Sequence, residues 1–153
     1  MSELVEDKGF WRDFASTAAF FSPAVSPLQR EFGVSSKDLM RKIGEEFGRK
    51  ASESIPEKEL LASLNHLSEV WRKHSVGRLE VITEETLTIR ISDCIICGQI
   101  PELGKFFECS FHEGFLNGFL SHRLKTPVKV WQERGEPGQG GTWTRTFKTD
   151  IKL

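Results

Sequence analysis

All three cysteines of the chain, and one of its four histidines, fall in a single stretch, SDCIICGQIPELGKFFECSFHEG. Cys94 and Cys97 form a C-x-x-C followed at once by Gly98, and Cys109 and His112 form a C-x-x-H. Four soft or borderline donors in two pairs suit a tetrahedral zinc ion. Gly98 lets the backbone turn so that both sulfurs can face one ion. Cys109 and His112, three apart on an expected helix, share a face. Cys94, Cys97, Cys109 and His112 are therefore a candidate metal site. The same residues admit two other readings. Free cysteine behaves as a small buried hydrophobe. A C-x-x-C can also be a dithiol pair, although the flanking pattern here is an antiparallel hairpin. Cys109 with His112 as base would make a cysteine-dependent enzyme, but no third group that would orient the histidine is evident.

The helix expected to carry Cys109 and His112 has a second pattern. Phe107, Phe111, Phe115 and Phe119 recur every four residues and form one aromatic stripe. Gly114 and Gly118, also four apart, leave a bare groove. Glycine inside a helix costs about 1 kcal/mol against alanine, so two of them imply close approach by a sheet, another helix or a second subunit.

The elements that must position these residues are legible in the periodicity. Residues 4–21 read as a helix from Phe10, Trp11, Phe14 and Phe21, and a Ser-Pro-rich connector follows. Ser36 is a good N-cap for a helix with Leu39, Ile43 and Phe47 on its apolar stripe and Gly44 and Gly48 open to close packing. The clearest helix starts near Pro56, turns Leu60, Leu61, Leu64, Leu67 and Trp71 inward, and stops at Gly77. The period then drops to two: RLEVITEETLTIRIS reads as a β-hairpin turning at Glu84-Glu85. The cysteine stretch and a helix over roughly 104–123 come next. PVKVWQE and TWTRTFKTDIKL are strands joined by the loop RGEPGQGG. The expected fold is α+β, helices packed on a four-stranded antiparallel sheet.

The 153 residues read as one domain, a helical extension over 1–35 and a core over 36–153. Charged residues nearly cancel, leaving a net charge of −1, which argues against a nucleic-acid partner. No apolar run is long enough for a membrane span. The acidic start without an apolar h-region, and the odd number of cysteines, point to the reducing cytoplasm. The chain has twelve Phe and four Trp but no Tyr, so any cavity it encloses should prefer apolar guests; plain ring packing would use the same residues.

Three segments carry a resemblance. SVGRLEVITEETLTIRISDC resembles the hairpin of the vinyl-4-reductase domain family of predicted hydrocarbon-binding proteins. CSFHEGFLNGFL is similar to its C-x4-G-x3-G helix, and VKVWQERGEPGQGG to its strand and glycine-containing loop. The resemblance covers about residues 36–150. It implies the fold of Golgi transport-complex subunits and nitric-oxide sensors, often dimeric, with small apolar molecules held between helices and sheet. In phenol-sensing relatives it implies a zinc held by a Cys at the position of Cys109, a Glu at that of Glu133, and two loop cysteines. Here Glu136 and Thr144 stand in place of the loop pair, so Glu133 becomes an alternative fourth ligand beside Cys94, Cys97 and Cys109. No dinucleotide or flavin signature is present, and without tyrosine the chain lacks the motif that holds haem propionates in the sensors.

Together these readings give an expected function: a non-enzymatic domain that binds an apolar or lipid-like ligand, as a sensor or carrier, with structural zinc. Trp71, Phe107, Phe111, Phe115 and Trp131 are the expected walls of its pocket. A homodimer is expected, and any signalling output requires a separate partner. The alternatives are a dimeric adaptor without ligand and the Cys109/His112 enzyme.

Overall fold

The computed structural model describes residues 9, 11–13, 31, 34–93, 110–133, 136–137 and 143–153. Three long helices run in chain order: α1 (Val34–Ser54), α2 (Leu60–Lys73) and α3 (Ser110–Leu124). The strands are β1 (Arg78–Thr83), β2 (Thr86–Ser92), β3 (Val130–Gln132), β4 (Glu136–Pro137) and β5 (Trp143–Lys152). β1, β2, β5 and β3 form, in that spatial order, an antiparallel sheet, and the short β4 pairs with the start of β5. The fold is α+β, as expected. Of the expected N-terminal helix, Gly9 and residues 11–13 are helical, and Trp11 is buried in the core.

The hairpin turns at Glu84-Glu85 with Leu79 opposite Ile91 and Val81 opposite Ile89. Period-two alternation sends Leu79, Leu87, Ile89 and Ile91 to one face, where they are buried with Phe147 of β5. β5 carries a bulge opposite Leu87. The buried Thr149 hydroxyl donates to the Leu87 carbonyl at 2.8 Å and accepts from the Ile151 N–H at 3.2 Å, so the irregularity leaves both backbone groups bonded.

The glycine groove of α3 is filled by α1. A Cβ at Gly44 or Gly48 would overlap the carbonyl oxygen of Phe111 or Phe115, and one at Gly114 or Gly118 would overlap that of Arg41 or Glu45. Each step of four along one helix matches a step of four along the other, so the two run parallel with their backbones in contact. Carbonyl oxygens seated against glycine Cα atoms are the geometry of weak Cα–H···O bonds. Arg41 adds a hydrogen-bonded ion pair to Glu113 at 3.2 Å. The groove expected to serve another helix, a sheet or a second subunit therefore serves another helix of the same chain.

Several boundaries differ from the sequence reading. α1 begins at Val34, so Ser36 lies in its first turn rather than at its cap. Leu39 is 49% exposed and Met40 is buried instead, because the glycine face sets the helix's rotation and Met40 leads into it. α2 begins at Leu60, after an extended Glu59; Pro56 lies in the connection, which is tied by Glu57 to His66 Nδ1 at 2.7 Å. Its end is made by Ser75 rather than Gly77. Ser75 adopts φ 55°, its N–H bonds to the Arg72 carbonyl, and the buried Val76 donates to the Trp71 carbonyl at 2.9 Å, a left-handed helix stop. β4 falls inside what reads as a loop.

Candidate functional site

α2 packs on β1 and α3 on β3, so the two helices stand over opposite edges of the sheet with the central strands β2 and β5 between them. Trp71, fully buried, bridges that span: its ring centroid lies 5.2 Å from that of Phe115 and 5.3 Å from that of His112. Phe111 meets the His112 ring edge-on at 5.5 Å and Phe47 of α1 at 5.8 Å. Phe115 and Phe119 stack at 6.3 Å. The i, i+4 spacing of the phenylalanines puts them on one stripe of α3, and burial reaches beyond that stripe because α1 closes the glycine side.

Trp71, Phe111 and Phe115, three of the expected pocket residues, therefore share one aromatic cluster with His112 in its midst. Phe107 lies outside the described residues, as do Cys94, Cys97 and Cys109. Trp131 is a correction. It lies opposite Lys148 on β3, while Val130 and Gln132 lie opposite Thr149 and Phe147. Parity thus sends Trp131 to the outer face, away from the helices, where it is 47% exposed. Glu133 is exposed beyond the end of β3, its N–H bonded to the Thr146 carbonyl at 2.9 Å. His112 is fully buried. Among the described residues no three His, Cys, Asp or Glu side chains come together as a metal site.

Two further polar features adjoin the helical layer. Arg123, at the end of α3, donates to the Ile55 carbonyl at 2.7 Å and lies 5.7 Å from the Phe119 ring centre. Burial lowers its pKa from the usual arginine value, with Glu57 acting the other way. An open cleft of about 400 Å³, lined by Ser68, Arg72, Arg78, Leu79, Glu80 and Ser92, lies where α2 meets the hairpin. Most of the residues lining it are polar or charged, unlike those of the expected apolar pocket.

Arg145 is the residue that sequence reasoning missed. It is 4% exposed and lies opposite Ile91 on the inner face of β5. The signal was available: Arg145, Phe147, Thr149 and Ile151 alternate, and the apolar members of that series mark the face turned to the core.

No family model matches the chain. The uncharacterized protein MJ1642 of Methanocaldococcus jannaschii is 30% identical over 95 residues, which are 62% of this chain and 53% of that protein; the chain thus spans about half the length of this curated relative. Among solved structures, the phenol-responsive sensory domain of the transcription activator PoxR, with phenol, superposes with a TM-score of 0.59 at 14% identity, over 86% of this chain and 73% of that one. A trafficking protein particle complex subunit 3 from Naegleria fowleri, covalently bound to palmitic acid, gives 0.60 at 10% identity, over 96% and 99%. An H-NOX protein gives 0.54 at 13%, over 84% and 71%. These neighbours are sensory or trafficking domains. Among the described residues no helix is long and apolar enough to cross a membrane. The α+β arrangement of this chain is the fold of the H-NOX and trafficking-subunit type.

Proposed function

We propose that the chain is a non-enzymatic binding domain for an apolar or lipid-like small molecule, related to the vinyl-4-reductase domains, acting as a sensor or carrier. The observation that carries this reading is the aromatic bridge of Trp71, Phe111, His112 and Phe115 over the central strands. It occurs in a fold whose PoxR member holds phenol and whose trafficking member holds palmitic acid. An apolar guest among such rings gains roughly 25 cal/mol per Å² of area removed from water. A signalling output would be read by a partner or by a further segment.

The same reading includes one structural zinc ion on Cys94, Cys97 and Cys109, with His112 or Glu133 as fourth ligand. His112, buried beside Trp71, fits a closed site that would brace the start of α3; Glu133, exposed beyond β3, fits it less well. Such an ion would support folding. Cytoplasmic location and a homodimer complete the proposal. With its glycine groove occupied by α1, the protomer would pair through another surface.

Native mass spectrometry of the purified chain, followed by calorimetric titration with phenols and medium-chain lipids, tests the binding role. A co-purified or titratable guest supports it. A protein that stays empty and takes up none of them is an adaptor. Elemental analysis after metal-replete, reducing expression tests the zinc: about one equivalent is expected for the closed structural site, and a folded, metal-free protein would refute it.

A further inference from the structure

β1 is an edge strand: β2 flanks it on one side, and among the described residues no strand flanks it on the other. Ser68 of α2 donates its hydroxyl to the Leu79 carbonyl at 2.6 Å, so that carbonyl faces away from β2. In an antiparallel ladder the N–H and C=O of one residue share a side, and the side alternates along the strand. Val81 and Thr83 therefore direct their backbone groups outward as well. The far edge of the sheet gives the same parity. The Glu133 N–H bonds the Thr146 carbonyl, so Arg145 and Phe147 turn their backbone groups to β2, where they pair with Ile91 and Ile89. Ile91 and Ile89 thus bond toward β5, and Leu79 and Val81, opposite them in β1, bond outward. Val81 and Ile82 are half-buried and Thr83 is exposed. From Val81 to Thr83 the edge has no charge, proline or bulge, the devices that usually keep a second strand away.

The two ends of this edge are of opposite charge. At the start of β1 lies the open cleft that Arg72 and Arg78 help to line. At its end the hairpin turns on Glu84 and Glu85, both exposed. Arg78 meets Asp93 at 3.4 Å and Glu84 meets Lys148 at 3.5 Å, both at the surface, while Arg72 and Glu85 have no ion pair among the described residues. A two-fold axis at Val81 brings these ends together. It sets Val81 opposite its own copy, Leu79 opposite Thr83, Ile82 opposite Glu80 and Arg78 opposite Glu84, and it carries Glu85 toward the cleft that Arg72 lines. Opposite charges facing across a ladder are favourable, and no like charges lie directly opposite in this register. A two-fold axis makes every such pair twice. An axis at Leu79 would instead be centred on the carbonyl that Ser68 already occupies, and one at Thr83 would overlap only the strand ends. We infer that a second copy of this chain docks on β1, joining the two sheets into one, with the Glu84-Glu85 turn of each copy at the Arg72–Arg78 cleft of the other. This inference rests on the homodimer of the proposed function and names its surface.

Sedimentation equilibrium of the full chain, loaded across the micromolar range, tests it and should give a monomer–dimer equilibrium. Arg78→Glu and Glu84→Arg each place like charges opposite one another twice per dimer, so each should weaken the dimer by about tenfold. The two changes together restore opposite charges and should return Kd to within about threefold of the wild type. Val81→Pro removes an outward N–H and spares the ladder with β2; it should leave a monomer, with circular dichroism reporting the fold. Should Val81→Pro not fold, the charge variants decide, since both side chains stand at the surface. A dimer that none of these changes weakens, or one that the double charge variant fails to restore, overturns this surface while sparing the homodimer. A monomer at every concentration overturns both. Neither result bears on small-molecule binding, because β1's outer edge lies apart from the aromatic bridge.

Discussion

Phe115 is the residue on which the helical layer closes. It is fully buried, faces Trp71 at 5.2 Å and stacks on Phe119, while its carbonyl oxygen lies against Gly48. Phe115→Ala removes a whole buried ring from between Trp71 and Phe119, so a loss of about 3–5 kcal/mol in urea unfolding is expected. Thr149→Val probes something smaller. It keeps the shape but strips the hydroxyl from the Leu87 carbonyl and the Ile151 N–H, and about 1–3 kcal/mol should disappear from the same measurement; an unchanged midpoint would mean that water replaces the hydroxyl. At this scale the sequence is readable where parity or helical spacing is followed through. The phenylalanine stripe declares its face by its i, i+4 period. Trp131 and Arg145 mislead because residue type and strand position disagree: the large aromatic occupies an outward position, and the cation occupies an inward one marked by Phe147 and Ile151.

Two pairs of glycines organise the elements. Gly44, Gly48, Gly114 and Gly118 each admit a carbonyl oxygen of the opposite helix where a side chain would stand. Alanine at a glycine position inside a helix normally stabilises by about 1 kcal/mol. Here the sign should reverse. A methyl group at Gly48 meets backbone of α3 rather than a movable side chain, so α1 and α3 must separate or bend. Overpacking of this kind costs about 1–3 kcal/mol or more, and Gly48→Ala should lower the thermal midpoint; a rise would show that the helices are further apart. Both glycine pairs are visible in the sequence as openings for close contact. Their mutual partnership is not, because it joins segments separated by some seventy residues of chain and depends on the parallel alignment of two helices. The same long-range fit turns Met40 inward in place of Leu39. Local stops were obscured differently: Ser75 takes the left-handed conformation that Gly77 advertises, since the helix ends where Val76 can bury its side chain.

For the molecule as a whole, the glycine contact and the aromatic bridge divide α3 between two tasks. One side is locked to α1 through backbone; the other presents rings to α2 and the central strands. On the proposed binding role, ligand uptake on the ring side should stabilise the whole domain, because the same helix carries the core and the proposed site. At a free ligand concentration one hundred times Kd, mass action contributes about 2.7 kcal/mol, which for a chain of this size corresponds to a rise of about 5–10 °C in the thermal midpoint. Two variants assign that rise to a face of the sheet. Trp131→Ala removes a half-exposed ring from the outer face and should leave the rise intact. Phe111→Ala opens space beside His112 and Phe47, so its rise should shrink for the best wild-type guest and grow for a bulkier one. Loss of the rise in the Trp131 variant, with no change in the Phe111 variant, would move the binding site to the outer face of the sheet and away from the aromatic bridge.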